Sequence, residues 1–285
     1  RMQFKGLGFP NKHFATQNGL CIYEDTACYG YERLLNCKMI FRLLYWTYQI
    51  FFFREDAAVT AQTIQIRNRP CRIYGEPHAE YLLLQMTGEH ELQSMDDEVA
   101  AIAQSNRKYL FAAIPVENWN DALSPWEAPA VWGKQGFGGN AGDTLRFLTE
   151  QVIPTLEQRY PLPENVKIIL GGYSLAGLFA LWVSTQTDLF YGVAAASPSV
   201  WFPGWMEFEQ QHPMQAQHVY LSLGDKEERT KNTVMAAVGD GIRALHSRLT
   251  ERGANCTLEW NSGGHFKDAD LRTAKAFRWA MEEHT

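Results

Sequence analysis

The run Ile168-Ile-Leu-Gly-Gly-Tyr-Ser-Leu-Ala-Gly-Leu178 constrains this chain more than any other segment. An apolar strand ends at Leu170, two glycines follow, and Ser174 stands at a turn before an apolar helix. Small residues on either side of the serine, Gly172 and Ala176, let the backbone reverse sharply enough to lift the hydroxyl clear of a sheet. The pattern is GxSxA rather than GxSxG, and alanine is still small enough to keep the turn.

The rest of the chain after residue 57 agrees with that reading. Ala61–Tyr74 reads as two short strands around an Asn68-Arg69-Pro70 turn. Tyr81–Met86 is a continuous apolar run, as a strand buried on both faces gives. A helix is expected from Ser94, with Asp97 completing a box-like cap and Met95, Val99, Ile102 and Ala103 on its inward face. Lys108–Ile114 is the next strand, and a Trp-, Pro- and Gly-rich loop spans Pro115–Gly142.

A helix over 143–157 then turns Leu145, Leu148, Val152 and Leu156 inward. Further strands are expected at Val166–Leu170, Tyr191–Ala196, His218–Leu223 and Thr257–Trp260. Between them fall helices at Leu175–Thr185, at 230–250 with Val234, Val238, Leu245 and Leu249 inward, and at 268–283. Strands separated by helices of this length predict an α/β fold, a mostly parallel central sheet with helices on both faces.

Residues 1–57 are different. They hold 13 of the 37 aromatic residues, three of the five cysteines and a charge of +2, against −6 for the whole chain. The apolar run 39–53 is interrupted by Arg42 and Gln49 and is shorter than the roughly 20 residues a spanning helix needs. Arg-Glu-Asp follows it where a signal peptide would carry small residues. Membrane association through 39–53 is one reading. The favoured one, from the abrupt composition change and the missing initiator Met, is an appendage outside the native domain, leaving 58–285 as the catalytic domain. Scattered Lys and Arg at this net charge argue against nucleic-acid binding. Five cysteines without a CxxC pair suit a reducing, cytoplasmic setting.

A serine at such a turn needs an acid and then a histidine downstream. The strand His218–Leu223 runs into Gly224-Asp-Lys-Glu-Glu228, which offers Asp225, Glu227 or Glu228, with Glu227 preferred. The last strand runs into Asn261-Ser-Gly-Gly-His265, where the two glycines would let His265 swing back over the sheet to act as base. Among the remaining histidines only His90 has a pocket role in view. The Leu175 N–H, at a helix N-terminus, is the first candidate oxyanion donor. The second is the N–H of Glu89 or Gly88, after the Tyr81–Met86 strand.

With these residues in hand, the chain from about 60 to 284 resembles the α/β-hydrolase superfamily, and within it the esterase group that includes esterase D and the siderophore (enterochelin) esterases. The resemblance rests on Gly171-Gly-Tyr-Ser-Leu-Ala-Gly-Leu-Phe-Ala-Leu181, Ala196-Ser-Pro-Ser-Val-Trp201, Gly224-Asp-Lys-Glu227 and Gly263-Gly-His265. It implies Ser174 as nucleophile, His265 as base and Glu227 as acid, acting on a small-molecule ester without metal or cofactor. The group's usual His-Gly oxyanion motif stands here as Thr87-Gly88.

Tyr173, Trp126 and Trp201 are the candidate pocket residues, because ligands of open α/β sheets bind at the carboxyl ends of strands. The tryptophans could equally pack the 115–142 loop onto the body. Gly136-Phe-Gly-Gly-Asn-Ala141 follows a loop rather than a strand and is no dinucleotide site. The expectation is therefore a serine esterase working through an acyl-serine intermediate. Thioester cleavage and acyl transfer would use the same residues, and a non-catalytic binding protein on this scaffold is the alternative from another class.

Overall fold

The computed structural model describes residues 61–282. The strands are β1 (Gln62–Ile66), β2 (Arg69–Gly75), β3 (Tyr81–Thr87), β4 (Tyr109–Pro115), β5 (Glu127–Ala128), β6 (Phe137–Gly138), β7 (Lys167–Tyr173), β8 (Gly192–Ala196), β9 (His218–Gly224) and β10 (Asn255–Asn261). The α-helices are α1 (Glu89–Gln93), α2 (Met95–Ile102), α3 (Trp119–Ala122), α4 (Ala141–Phe147), α5 (Ile153–Arg159), α6 (Leu175–Gln186), α7 (Trp205–Gln211), α8 (Thr233–Ala236), α9 (Val238–Glu251) and α10 (Ala269–Ala280). These residues lie in a unit spanning Val59–Thr285. The 1–57 appendage and its apolar run 39–53 lie outside the described residues. Among the described residues, no helix is long and apolar enough to cross a membrane.

β3 is buried at every position, as its unbroken apolar sequence predicts. It lies inside an eight-stranded sheet of order β1-β2-β4-β3-β7-β8-β9-β10. Only the β1–β2 and β2–β4 pairs are antiparallel. Alternation along the strands divides the core in two. Leu82, Leu84, Leu110 and Ala112 face one core, shared with α6 and α9. Leu83, Phe111 and Ala113 face the other, shared with α2 and α10. β3 is flanked by β4 on one side and β7 on the other, so the chain changes direction across the sheet at this point. The loops leaving β3 and β7 then part and open a crevice between them.

Local differences from the sequence expectation have physical causes. The 143–157 helix is two segments, α4 and α5, joined by a π turn at Leu148–Val152. The widened turn leaves Leu148, Val152 and Leu156 buried while Leu145 is half-buried. The 230–250 helix is also two, α8 and α9, and Val234 on α8 is 45% exposed rather than inward. The Asn232 side chain caps α8, accepting from the N–H groups of Val234 and Met235. Ser94 precedes α2 without a side-chain capping bond, and Ala103 has left the helix for an exposed 3-10 turn. The 115–142 loop contains α3 and the small β5–β6 ladder.

Candidate active site

Ser174 sits between β7 and α6 with φ 57 and ψ −119, a left-handed backbone rarely adopted by a side-chain-bearing residue. Neighbouring chains hold it there. Its N–H donates to Ala196 O at 3.1 Å, and its carbonyl accepts from the N–H of Ser199 and of Leu178, each at 3.1 Å. The need for small neighbours is direct: a Cβ on Gly172 would lie 2.6 Å from the Ala176 Cβ, and one on Gly171 would lie 2.6 Å from Phe277 Cζ. Alanine at 176 is therefore compatible with the turn because glycine stands at 172.

The Ser174 Oγ lies 3.0 Å from His265 Nε2, and His265 Nδ1 lies 2.6 Å from Glu227 Oε2. The three side chains thus form one line from the end of β7, across the loop after β10, to the turn after β9. The line fixes the tautomer: Nδ1–H donates to the carboxylate, leaving Nε2 to accept from the hydroxyl. His265 is held from below, where the Tyr173 hydroxyl donates to its carbonyl at 2.6 Å. Gly263 at φ 111 makes the backbone turn that only glycine takes easily. Gly264 has no such conformation, so one glycine of the pair does the work expected of both.

The three candidate acids differ in what they touch, and Glu227 is the one bonded to His265. Asp225 Oδ1 accepts the Gly263 N–H at 2.7 Å and pins the histidine loop. Glu228 faces away and pairs with Arg243 at 2.8 Å. Glu227 Oε1, the oxygen not used by His265, accepts from the Gly224 N–H at 2.7 Å and the Ser197 hydroxyl at 2.8 Å. Burial pushes the Glu227 carboxyl up, but the hydrogen bond and charge of His265, with the hydrogen bonds from Ser197 and the Gly224 N–H, outweigh it and hold the group below its ordinary value.

The Leu175 N–H is the first of α6 and has no intrahelical acceptor. At the opposite lip, the Gly88 N–H is taken by Glu91 Oε2 at 3.0 Å. That bond closes the end of β3 onto α1 and leaves the Glu89 N–H, first in α1, as the better-placed candidate donor of the two. Gly88 has φ −95, so its backbone makes no demand for glycine. Between the lips lies a cleft of about 1240 Å³, whose wall includes Glu89, Trp119, Tyr173, Ser174, His265 and Phe266. His90 also lines it.

A sequence profile described as "Putative esterase" matches residues 83–268, more than half of the chain. The chain belongs to that family. Its fold is the α/β-hydrolase fold, and the class of chemistry its family carries is ester hydrolysis. The chain is 27% identical to "Uncharacterized protein YbbA" of Bacillus subtilis (strain 168) over 148 residues, 49% of this chain and 58% of that relative. The match thus spans less than two thirds of the relative's length. Among solved structures, an IroE-like serine hydrolase from Shewanella oneidensis is similar at a TM-score of 0.64 and 17% identity, covering 77% of this chain and 79% of that one. The enterobactin esterase FES from Shigella flexneri gives 0.58 at 14% identity, covering 78% and 59%. The siderophore hydrolase EstB from Aspergillus nidulans gives 0.56 at 16%, covering 78% and 94%. At these identities the structures speak for the fold.

Two of the expected pocket residues lie elsewhere. Trp126 packs against Phe202 and Phe208 with ring centroids 5.6 and 5.1 Å away, and its indole N–H donates to Pro203 O at 2.9 Å. Trp201 stands by Phe137, 6.3 Å between centroids. Neither lines the cleft; both attach the 115–142 loop to the body, where burying aromatic area stabilises most. Tyr173 does line it.

Sequence reasoning missed Arg272. It is 3% exposed, and its Nη1 lies 3.2 Å from Glu227 Oε1 and 3.1 Å from the Tyr173 hydroxyl, while Nη2 donates to Ser262 O at 3.2 Å. A signal was present: Arg272, Ala276 and Ala280 recur every four residues on the buried face of α10, and a charge at such a position needs a partner. The Ser197 and Ser199 side chains were legible only as part of a family resemblance. Ser197 donates to the acid, and the Ser199 hydroxyl lies 3.3 Å from Ser174 Oγ.

Proposed function

We propose that the protein is a serine esterase that cleaves a carboxylic ester through an acyl-Ser174 intermediate. The observation that carries this reading is the continuous Ser174–His265–Glu227 line, at 3.0 and 2.6 Å, opening onto the cleft. His265 Nε2 takes the hydroxyl proton as Ser174 Oγ bonds to the ester carbonyl carbon, and Glu227 stabilises the imidazolium that results. The oxyanion of the tetrahedral adduct is received by the Leu175 and Glu89 N–H groups. The imidazolium then returns its proton to the leaving alcohol as the ester C–O bond breaks. Water, deprotonated by the same histidine, repeats the sequence on the acyl-enzyme and frees Ser174. A thiol leaving group or an acceptor alcohol in place of water would follow the same proton path.

Fluorophosphonate labelling read by intact mass and peptide mapping tests this. One adduct on Ser174 is expected in the wild type, with none in Ser174→Ala and strongly slowed labelling in His265→Ala. A folded wild type that takes no label from probes of several sizes overturns the acyl-serine mechanism and moves the reading to a binding protein.

A further inference from the structure

We propose that the cleft beside Ser174 selects esters that carry a protonated amine, and that the carboxyl of Glu98 receives the ammonium group. The proposal deepens the ester-hydrolase reading and rests on it for the bond that is cut.

The cleft wall has one sign of charge. Glu89, Glu91, Glu98, Glu117, Asp268 and Asp270 contribute to it, and no Lys or Arg does among the described residues. Arg272 lies nearby but is committed to Glu227, and Lys267 stands 3.9 Å from Asp268 on the exposed rim. Carboxylates gathered in a concave space focus a field that draws cations and opposes anions. The sign therefore favours an amine-bearing ester over a carboxylate-bearing one.

Acidity alone would not make a site, and Glu98 supplies the second observation. It is 2% exposed, on the buried face of α2 between Met95 and Ile102, yet it forms part of the cleft wall. Its Oε2 accepts from Gln85 Nε2 at 3.4 Å, and its Oε1 has no hydrogen-bond partner among the described residues. Behind it, Gln85 Oε1 and Thr87 Oγ1 are also buried without partners, two residues apart on one face of β3. Buried acceptors are ordinarily satisfied, and a buried carboxyl oxygen without a donor, on a residue that lines a cleft, is suited to a donor that arrives with the ligand. An ammonium supplies several N–H donors together with the charge that this wall lacks.

The electrostatics agree. Burial pushes the Glu98 carboxyl well above its ordinary value; the Gln85 bond opposes this, while Asp270 and Glu91 add to it. An ammonium beside it favours the carboxylate form, in which an N–H⁺···O⁻ pair is made. Trp119 and Phe266, the latter 95% exposed beside His265, offer apolar surface for the remainder of the substrate, and aromatic faces also attract cations. Among the described residues, no group of three His, Cys, Asp or Glu side chains is placed to hold a metal ion.

The test uses the full chain and matched acetate esters of an aminoalkanol, an alkanol and a hydroxyalkanoate of equal length. A second set places the same three end groups on the acyl chain. In one of the two sets kcat/KM should favour the amine about tenfold or more over the neutral ester, with the carboxylate slowest. The amine-to-neutral ratio should fall with added salt and collapse towards one in Glu98→Gln, which keeps the shape of the side chain. If Glu98→Gln does not fold, judged by circular dichroism, Asp270→Asn at its half-buried position should reduce the same ratio. Equal rates, a reversed order, or an unchanged ratio in a folded Glu98→Gln overturns the proposal.

Calorimetry of an alkylammonium against the equal-length alkanol on Ser174→Ala separates the two readings. Ammonium binding that is lost in Ser174→Ala/Glu98→Gln, with no ester turned over by the wild type, upholds the subsite and sinks the hydrolase. Ester turnover with no amine preference and no ammonium binding does the reverse.

Discussion

The guanidinium of Arg272 and the imidazole of His265 hold opposite oxygens of one carboxylate, Glu227, at 3.2 and 2.6 Å. Arg272 touches neither the cleft nor Ser174. Its action is on the acid: it fixes the carboxylate plane and, through the Tyr173 hydroxyl, the carbonyl of His265. Arg272→Met should lower kcat about ten- to a hundredfold with KM little changed, short of the ~10⁴ associated with a disabled acid. It should also destabilise by about 3 kcal/mol or more, because a buried carboxylate loses its cation. Arg272→Lys should recover part of kcat. The double variant Arg272→Met/Glu227→Gln should regain stability without regaining activity, which steady-state kinetics and thermal melts on the same samples will separate.

Glu227 also sets a pH dependence of stability. Its folded pKa lies below its ordinary value, so the contribution is fully present above the ordinary carboxylate pKa, near 4.5, and is lost as pH falls through the lower folded value. Thermal melts of wild type and Glu227→Gln should differ by a constant amount from neutral pH down to about 5. Below that the difference should shrink. A gap that widens with acidification contradicts the assignment.

The left-handed backbone at Ser174 separates strain from chemistry. Both Ser174→Ala and Ser174→Gly should abolish turnover. Glycine relieves the steric penalty at φ 57 and alanine does not, so the glycine variant should be more stable than the alanine variant by about 1 kcal/mol. Denaturant midpoints at matched slope measure this directly. Equal midpoints would mean that the turn is not strained.

Glu91 ties down the lip opposite Ser174 through the Gly88 N–H. Glu91→Ala should lower kcat by roughly three- to tenfold, less than the 10²–10³ of a deleted oxyanion donor, because the Glu89 N–H is loosened rather than removed. Glu91→Gln keeps a carbonyl acceptor at that distance and should restore most of the rate.

The sequence disclosed those parts of the site that depend on backbone form. Ser174, Glu227 and His265 follow the ends of β7, β9 and β10, and the first two of these strands were legible because they are mostly apolar. Arg272 and Glu98 were hidden for the opposite reason. Each is a charged residue on a helix, where charge ordinarily marks the solvent face, and only their spacing with Ala276 and Ala280, or with Met95 and Ile102, places them inside. The tryptophans misled because an aromatic serves equally as a pocket wall or as loop packing, and sequence does not say which side of the loop it faces. Trp126 and Trp201 became packing, while Trp119 reached the cleft.

α10 carries Phe277 into the second core and Arg272 under the acid within a turn and a half of one helix. Sealing that face of the sheet and supplying the cation to Glu227 are consequently one docking event. A refolding chain whose last helix has not yet docked would expose Phe111 and Ala276 and would at the same moment leave Glu227 without its guanidinium. Recovery of activity should therefore run in step with the late loss of hydrophobic-dye binding. A cell surveying such a chain for exposed apolar surface would, by the same criterion, be sorting active molecules from inactive ones.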